Sequence, residues 1–95
     1  MSTLNNKVVL VTGASRGIGA VVASRLADAG YKVVVNYAGG QDVAEQLVAG
    51  IKAKGGEAIA LQADVSKPDQ VKRLFDEAIA AYGKIDVLVN NAGIM

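Results

Sequence analysis

An α/β fold built on a doubly wound parallel sheet is predicted for this 95-residue chain. Three observations predict it. Short apolar runs (Val8-Val9-Leu10-Val11, Val33-Val34-Val35, Val87-Leu88-Val89) alternate with stretches of helical periodicity. The connections are short, and in an alternating chain that means parallel strands joined by right-handed crossovers. The runs are apolar at every residue rather than every second one, as in strands covered on both faces. The strand order that follows is 3-2-1-4, with the first and fourth strands meeting at the switch point where ligands sit.

The elements follow in order. The first strand is Val8 to Val11. A helix starts at Gly17, places Ile18, Val22, Leu26 and Ala29 on one face, and stops at Gly30. The second strand is Lys32 to Asn36. The second helix runs from Gln41 to Lys54 with Val43, Leu47, Val48 and Ile51 inward, and Gly55 stops it. The third strand is Ala58 to Gln62. Ser66 is expected to cap the third helix, with Pro68 and Asp69 in its first turn. Its inward stripe reads Val71, Leu74, Phe75, Ala78, Ile79 and Tyr82, and Gly83 ends it. The fourth strand is Asp86 to Val89.

One helix on the second face covers roughly 10 Å of sheet, whereas four strands at about 4.8 Å spacing need nearly twice that. The fourth strand would also show a flat apolar edge. Both features predict that further chain or another copy covers these surfaces, so residues 1–95 read as part of one domain, truncated after strand four.

Composition excludes several chemistries. Hydrophobic residues make up 52% of the chain and charged ones 20%, enough for a packed core. The net charge is +1 with no basic run, which argues against nucleic acid as a partner. No apolar stretch reaches the roughly 18 residues of a membrane helix. A cytoplasmic, non-membrane protein is therefore expected. There is no cysteine and no histidine, so thiol nucleophiles, thiolate or imidazole metal sites and a Ser-His-Asp triad cannot be built.

The chemistry that remains starts at the first strand-to-helix turn, Thr12-Gly-Ala-Ser-Arg-Gly-Ile-Gly19. Here backbone N–H groups and the positive end of a helix face an anion. Gly13 can take angles closed to other residues and turn the chain off the strand. A side chain at Gly17 would occupy the space of a diphosphate, and Gly19 lets the helix approach the sheet. Asn90-Asn91-Ala92-Gly93 closes the neighbouring fourth strand, and Asp64-Val65 closes the third, on the same rim.

This combination resembles the short-chain dehydrogenase/reductase family across essentially the whole chain, as the N-terminal half of its Rossmann-type fold. The stretch Val35-Asn-Tyr-Ala38 looks most like the 3-oxoacyl-acyl-carrier-protein reductase branch. The resemblance implies that Gly13, Ser15, Arg16, Gly17, Ile18 and Gly19 cradle a cofactor pyrophosphate. It implies that Asp64 bonds the adenine amino group and Val65 lies along the ring. Asn90, Ala92 and Gly93 would border the ribose and nicotinamide, with Thr12 tying the two segments together. Asp64 could equally cap the turn before the third helix, and its two oxygens allow both roles.

The second strand ends Asn36-Tyr37-Ala38, where an NAD site usually carries a ribose-binding carboxylate. Its absence, with Arg16 as a nearby cation, favours NADP(H) over NAD(H). Asn36 and Tyr37 are thus expected at the cofactor ribose, and Arg16→Ala with Asn36→Asp is expected to shift preference toward NAD(H).

Family members transfer a proton through a Tyr-x-x-x-Lys pair. The residues four after Tyr31, Tyr37 and Tyr82 are Val35, Gln41 and Asp86, so no catalytic residue is assigned. The resemblance implies a small-molecule carbonyl or alcohol substrate and a homo-oligomer, a tetramer or dimer. Two other readings stay open: a non-catalytic nucleotide-binding or scaffold fragment, and a structural piece that binds nothing.

Overall fold

Valine-rich runs favour extended backbone because branched side chains pack well on a pleated surface. Four such runs pair in parallel in the computed structural model, which describes residues 7–15 and 17–91. The elements are β1 (Val8–Val11), α1 (Gly17–Asp28), β2 (Lys32–Tyr37), α2 (Gln41–Ala53), β3 (Glu57–Gln62), α3 (Pro68–Tyr82) and β4 (Val87–Val89). The sheet order is β3-β2-β1-β4, as expected from the alternation. Val9 stands opposite Val33 on one side and Val87 on the other.

Side chains alternate between two cores. Val9, Val11, Val33, Val35 and Tyr37 face α1 and α2, where Ala23, Ala27, Ala44, Val48 and Ile51 close on them. Val8, Leu10 and Val34 face α3, where Leu74 and Ala78 are fully buried. β4 pairs only with β1, and its Val87 and Leu88 side chains are exposed. The open edge and partly bare second face expected of a half-wound sheet are therefore present.

The phase of α1 differs from the expected one, whereas α2 and α3 differ only at single positions. Gly19, Ala23 and Ala27 form the buried stripe of α1, while Ile18 is 71% exposed and Ala29 is exposed. Leu26 only flanks the core. Gly19 fixes this phase. It must face inward because a Cβ there would lie 2.7 Å from the Gly13 carbonyl oxygen, and residues 23 and 27 follow at helical spacing. In α2, Ala44 takes the inward place expected for Val43, which is exposed. In α3, Ile79 likewise turns out to solvent.

Capping of α3 also differs. Lys67, not Ser66, is the N-cap residue, and its side chain makes no capping bond. Ser66 instead donates its amide and its hydroxyl to Asp64 Oδ1, at 3.0 and 2.6 Å. The hydroxyl thus donates to an ionised carboxylate, a charge-assisted bond within the turn. Gln70 in the first turn of α3 reaches back, its Oε1 accepting the Asp64 N–H at 2.7 Å. The carboxyl end of β3 is thereby fastened to the helix that follows.

The amino end of the sheet is closed by Asp86. Its Oδ2 accepts the Val8 N–H at 2.8 Å, and its own N–H donates to the Val8 carbonyl at 2.9 Å. Lys84 Nζ lies 3.2 Å from the same oxygen. The Val8 N–H, and then the Lys84 and Lys7 charges, hold this carboxyl below its ordinary 3.8. A carboxyl lowered on folding adds stability above its unfolded value and loses it as pH falls through the folded value. Asp86→Asn is therefore expected to lower stability at neutral pH and to make the loss below pH 3.8 shallower. Urea unfolding over a pH series checks both; parallel pH curves for the two proteins would contradict it.

Candidate functional site

The carboxyl ends of β1 and β4 lie side by side, and the chain leaves them in different directions. The Thr12 N–H donates to the Val89 carbonyl at 3.0 Å, continuing the ladder one step past β1. The Thr12 hydroxyl lies within 3.4 Å of the same carbonyl and 3.3 Å of Asn90 Oδ1. Asn91 Nδ2 donates to the Gly13 carbonyl at 3.0 Å. The glycine turn and the segment after β4 are thus one clamped unit, and Thr12 ties them in the way expected.

On the other side the turn is held by β2. Asn36 Oδ1 accepts the Gly13 N–H at 3.1 Å, and the Asn36 carbonyl accepts the Ala14 N–H at 2.8 Å. The amides of residues 12, 13 and 14 are all taken by protein. Those that open α1 are not served by the helix, since the first-turn N–H groups of any helix lack an internal partner. They carry the positive end of the helix dipole toward the rim.

Two glycines shape this end, for different reasons. Gly17 has φ +65, and a Cβ on it would meet nothing within 4 Å, so its open side faces free space. Gly19 is crowded: a Cβ would lie 2.6 Å from Asn91 Nδ2, 2.7 Å from Gly13 O and 2.9 Å from Ala14 Cα. Gly19 therefore makes room for the Asn91 clamp rather than for the sheet itself. Gly17 thus leaves open space at the start of α1, while Gly19 permits a close approach between α1, the turn and Asn91.

Beside this turn, on the α3 side, a cavity of about 440 Å³ opens between β4 and α3. Thr12, Val65, Ser66 and Asn90 form its rim, and Leu74, Phe75 and Leu88 its apolar wall. Asp64 stands at the same rim. The Ser66 hydroxyl and amide hold its carboxyl below the ordinary 3.8, keeping it an ionised acceptor. Both of those bonds go to Oδ1.

Several expected site residues are therefore gathered at one rim: Gly13, Ser15, Gly17, Ile18, Gly19, Asp64, Val65 and Asn90. Ile18 is exposed there, and Ser15 is half-buried. Arg16, Ala92 and Gly93 lie outside the described residues.

Asn36 and Tyr37 differ from expectation. Asn36 is 1% exposed, and its Nδ2 donates to the Leu61 and Ala63 carbonyls at 3.3 and 3.2 Å. The Tyr37 ring is buried in the α1–α2 core. Neither side chain is exposed at the rim. The chain reaches solvent one residue later, at Ala38, Gly39 and Gly40, and Gly40 is the N-cap of α2. Gln62 Nε2 holds the Ala38 carbonyl at 3.1 Å, and Arg73 in turn holds Gln62. Period-two alternation from Val33 and Val35 carries Tyr37 inward, so this signal was present in the sequence. Asn91, absent from the expected set, is a structural member of the site; only the crowding at Gly19 reveals it.

Among the described residues no tyrosine–lysine pair stands at the rim. Among the described residues no group of acidic side chains could hold a metal ion. Tyr82 lies at the far, amino end of the sheet, its ring 5.7 Å from Lys32 Nζ. Burial, and then the Glu57 charge, push its phenol up to about 12, the wrong direction for an acid–base group.

Comparison with known proteins agrees with this architecture. The family model described as short chain dehydrogenase matches residues 7–95. A 3-oxoacyl-acyl-carrier-protein reductase of Staphylococcus epidermidis is 58% identical over 89 residues, covering 94% of this chain and 36% of the relative. Elsinochrome reductase 1 of Elsinoe fawcettii is 54% identical over 94 residues, covering 99% of this chain and 35% of the relative. A solved short-chain dehydrogenase/reductase from Serratia marcescens superposes with a TM-score of 0.89 at 38% identity, covering 93% of this chain and 36% of that one. The chain thus spans about a third of the length of the curated relatives it matches.

The two glycines give separable outcomes. Gly17→Ala is expected to cost about 1 kcal/mol of stability, from the left-handed backbone alone, yet to weaken dinucleotide binding at least about tenfold. Gly19→Ala is expected to cost about 3 kcal/mol, because two of its three close contacts are backbone atoms that cannot move aside. Denaturant unfolding with dinucleotide titration checks the pair; equal effects on both readouts would contradict it.

Proposed function

Since this chain belongs to the short-chain dehydrogenase family, we propose that it supplies the cofactor-holding half of an NADP(H)-dependent carbonyl reductase. The observation that carries this reading is the glycine turn at the start of α1, where a Cβ on Gly17 would stand in open space and the first-turn amides have no partner inside the helix. A pyrophosphate would suit it in charge, facing the positive end of α1. The adenine would lie against Val65, its amino group donating to the ionised Asp64. Asn90, Ala92 and Gly93 would border the nicotinamide side. When bound, the cofactor supplies the hydride. This chain's residues bind and orient it.

The preference for NADP(H) rests on the exit of β2. Ala38, Gly39 and Gly40 bring no carboxylate, and α2 starts immediately after them. A ribose phosphate there would meet backbone amides and a helix N-terminus rather than a repelling acid. Arg16 would add a cation at the same edge.

The relatives' names cover different substrates, a 3-oxoacyl group on an acyl carrier protein and elsinochrome, at 58 and 54% identity to this same segment. That supports a division of labour in which this half holds the cofactor and substrate choice lies in the rest of the relatives' length. A carbonyl compound is the substrate class we assign, with a homo-oligomer as the working form. No helix among the described residues is long and apolar enough to cross a membrane, which is compatible with action in the cytoplasm.

Calorimetric titration tests the reading. NADPH is expected to bind at least about tenfold tighter than NADH, the worth of one charge-assisted hydrogen bond. The chain alone is expected to leave NADPH unoxidised with a carbonyl substrate, because among the described residues no tyrosine–lysine pair stands at the rim. Equal affinity for both cofactors would contradict the NADP assignment, and binding of neither would contradict the function.

A further inference from the structure

Asn36 makes three side-chain hydrogen bonds at the carboxyl end of the sheet while almost wholly buried. Its Oδ1 accepts from Gly13, its Nδ2 donates to Leu61 and Ala63, and its main-chain carbonyl accepts from Ala14. Both amide protons and one oxygen lone pair are used, at 1% exposure. These partners belong to two separate parts of the rim. Gly13 and Ala14 begin the glycine turn, while Leu61 and Ala63 end β3 just before Asp64 and Val65. The parallel ladder between β2 and β1 stops at the Val11–Val35 pair. Beyond it, the Asn36 side chain links the turn after β1 to the end of β3, beside a β2–β3 ladder that continues to the Tyr37–Gln62 pair.

We propose that Asn36 is a positioning residue that locks the pyrophosphate turn and the adenine-side loop into one preformed unit, and that it takes no part in choosing between NADPH and NADH. This deepens the cofactor-binding reading and rests on it. A cofactor that touches both segments gains affinity if they are already set at the right separation, because little ordering is left to do on binding. An aspartate at position 36 keeps an acceptor for the Gly13 N–H but turns an oxygen toward two carbonyl oxygens that now receive a proton each. It would lie beneath the turn, out of reach of a ribose hydroxyl. A carboxylate at the exposed Ala38 would instead meet the ribose.

The test is titration of NADPH and NADH against the chain and its variants, each below its own melting temperature. Asn36→Ala and Asn36→Asp are expected to weaken both cofactors by the same factor, on the order of tenfold, leaving their ratio unchanged within about twofold. Asn36→Thr, whose hydroxyl can accept from Gly13 and donate one bond, is expected to recover part of the loss; it also serves if the first two fold poorly. Ala38→Asp is expected to move the ratio toward NADH by about tenfold or more, which proves that the assay detects a change in selectivity. Hydrogen exchange at the Gly13 amide should speed up in Asn36→Ala and slow again in Asn36→Thr.

A merely structural role would lower the melting temperature and leave the affinities of the folded protein unchanged, which overturns the proposal. A ratio shifted toward NADH by Asn36→Asp overturns it too, since that is the signature of direct contact. If the unaltered chain binds neither dinucleotide, the cofactor-binding reading fails and this role falls with it.

Discussion

Gly13 donates its amide to Asn36 and takes the Asn91 side chain on its carbonyl, so both peptide groups flanking its Cα are gripped by asparagines from other strand ends. That arrangement constrains everything near it. Asn91 can reach the Gly13 carbonyl only if residue 19 lacks a Cβ, and Gly19 then sets the rotation of α1 on the sheet. The rotation puts Ala23 and Ala27 against the strands and leaves Ile18 outside. A local hydrogen bond thus dictates how a whole helix packs.

The same grip has an electrostatic result. Because the amides of Thr12, Gly13 and Ala14 are consumed by Val89 and Asn36, the turn cannot collapse onto itself to satisfy the amides that open α1. Those amides have no partner inside the helix, and a Cβ on Gly17 would meet nothing within 4 Å. Oriented dipoles fixed before a ligand arrives cost no reorganisation when it binds. The rigid part of the site is backbone, which is why so few of its side chains carry charge. At the opposite end of the sheet the polar groups are paired differently: Asp86 with Val8 and Lys84, and Lys32 with Glu57 at 3.8 Å. Those contacts close the strand starts.

Much of this was legible in the sequence. Continuous valine runs and glycine stops gave the strands, their order and their helices, because both signals act locally. The phase of α1 was not legible. Ile18, Val21, Val22 and Leu26 spread apolar residues around most of the helix, so hydrophobicity alone has no unique inward face, and Val21 is in fact 55% exposed. The decision came from a steric contact with residues far along the chain. Ser66 is not the cap because α3 starts one residue later than expected, after Lys67, and its hydroxyl donates to the Asp64 carboxylate within the preceding turn. Asn36 read as a rim residue because it ends the apolar run, yet asparagine at a strand end can pair inward when neighbouring carbonyls need donors. Asn91 went unassigned because its function is to hold another residue's carbonyl, a role that carries no motif of its own.

The central claim is that amides freed at the β1–α1 junction grip a dinucleotide pyrophosphate. Amide chemical-shift mapping on the isotope-labelled chain, with NADPH added, tests it most directly. The account predicts that the largest shifts fall on Ser15, Gly17, Ile18 and Gly19, with smaller ones at Asp64 and Asn90. Shifts centred on the opposite end of the sheet, around Gly30, Lys32 and Gly56, would contradict it.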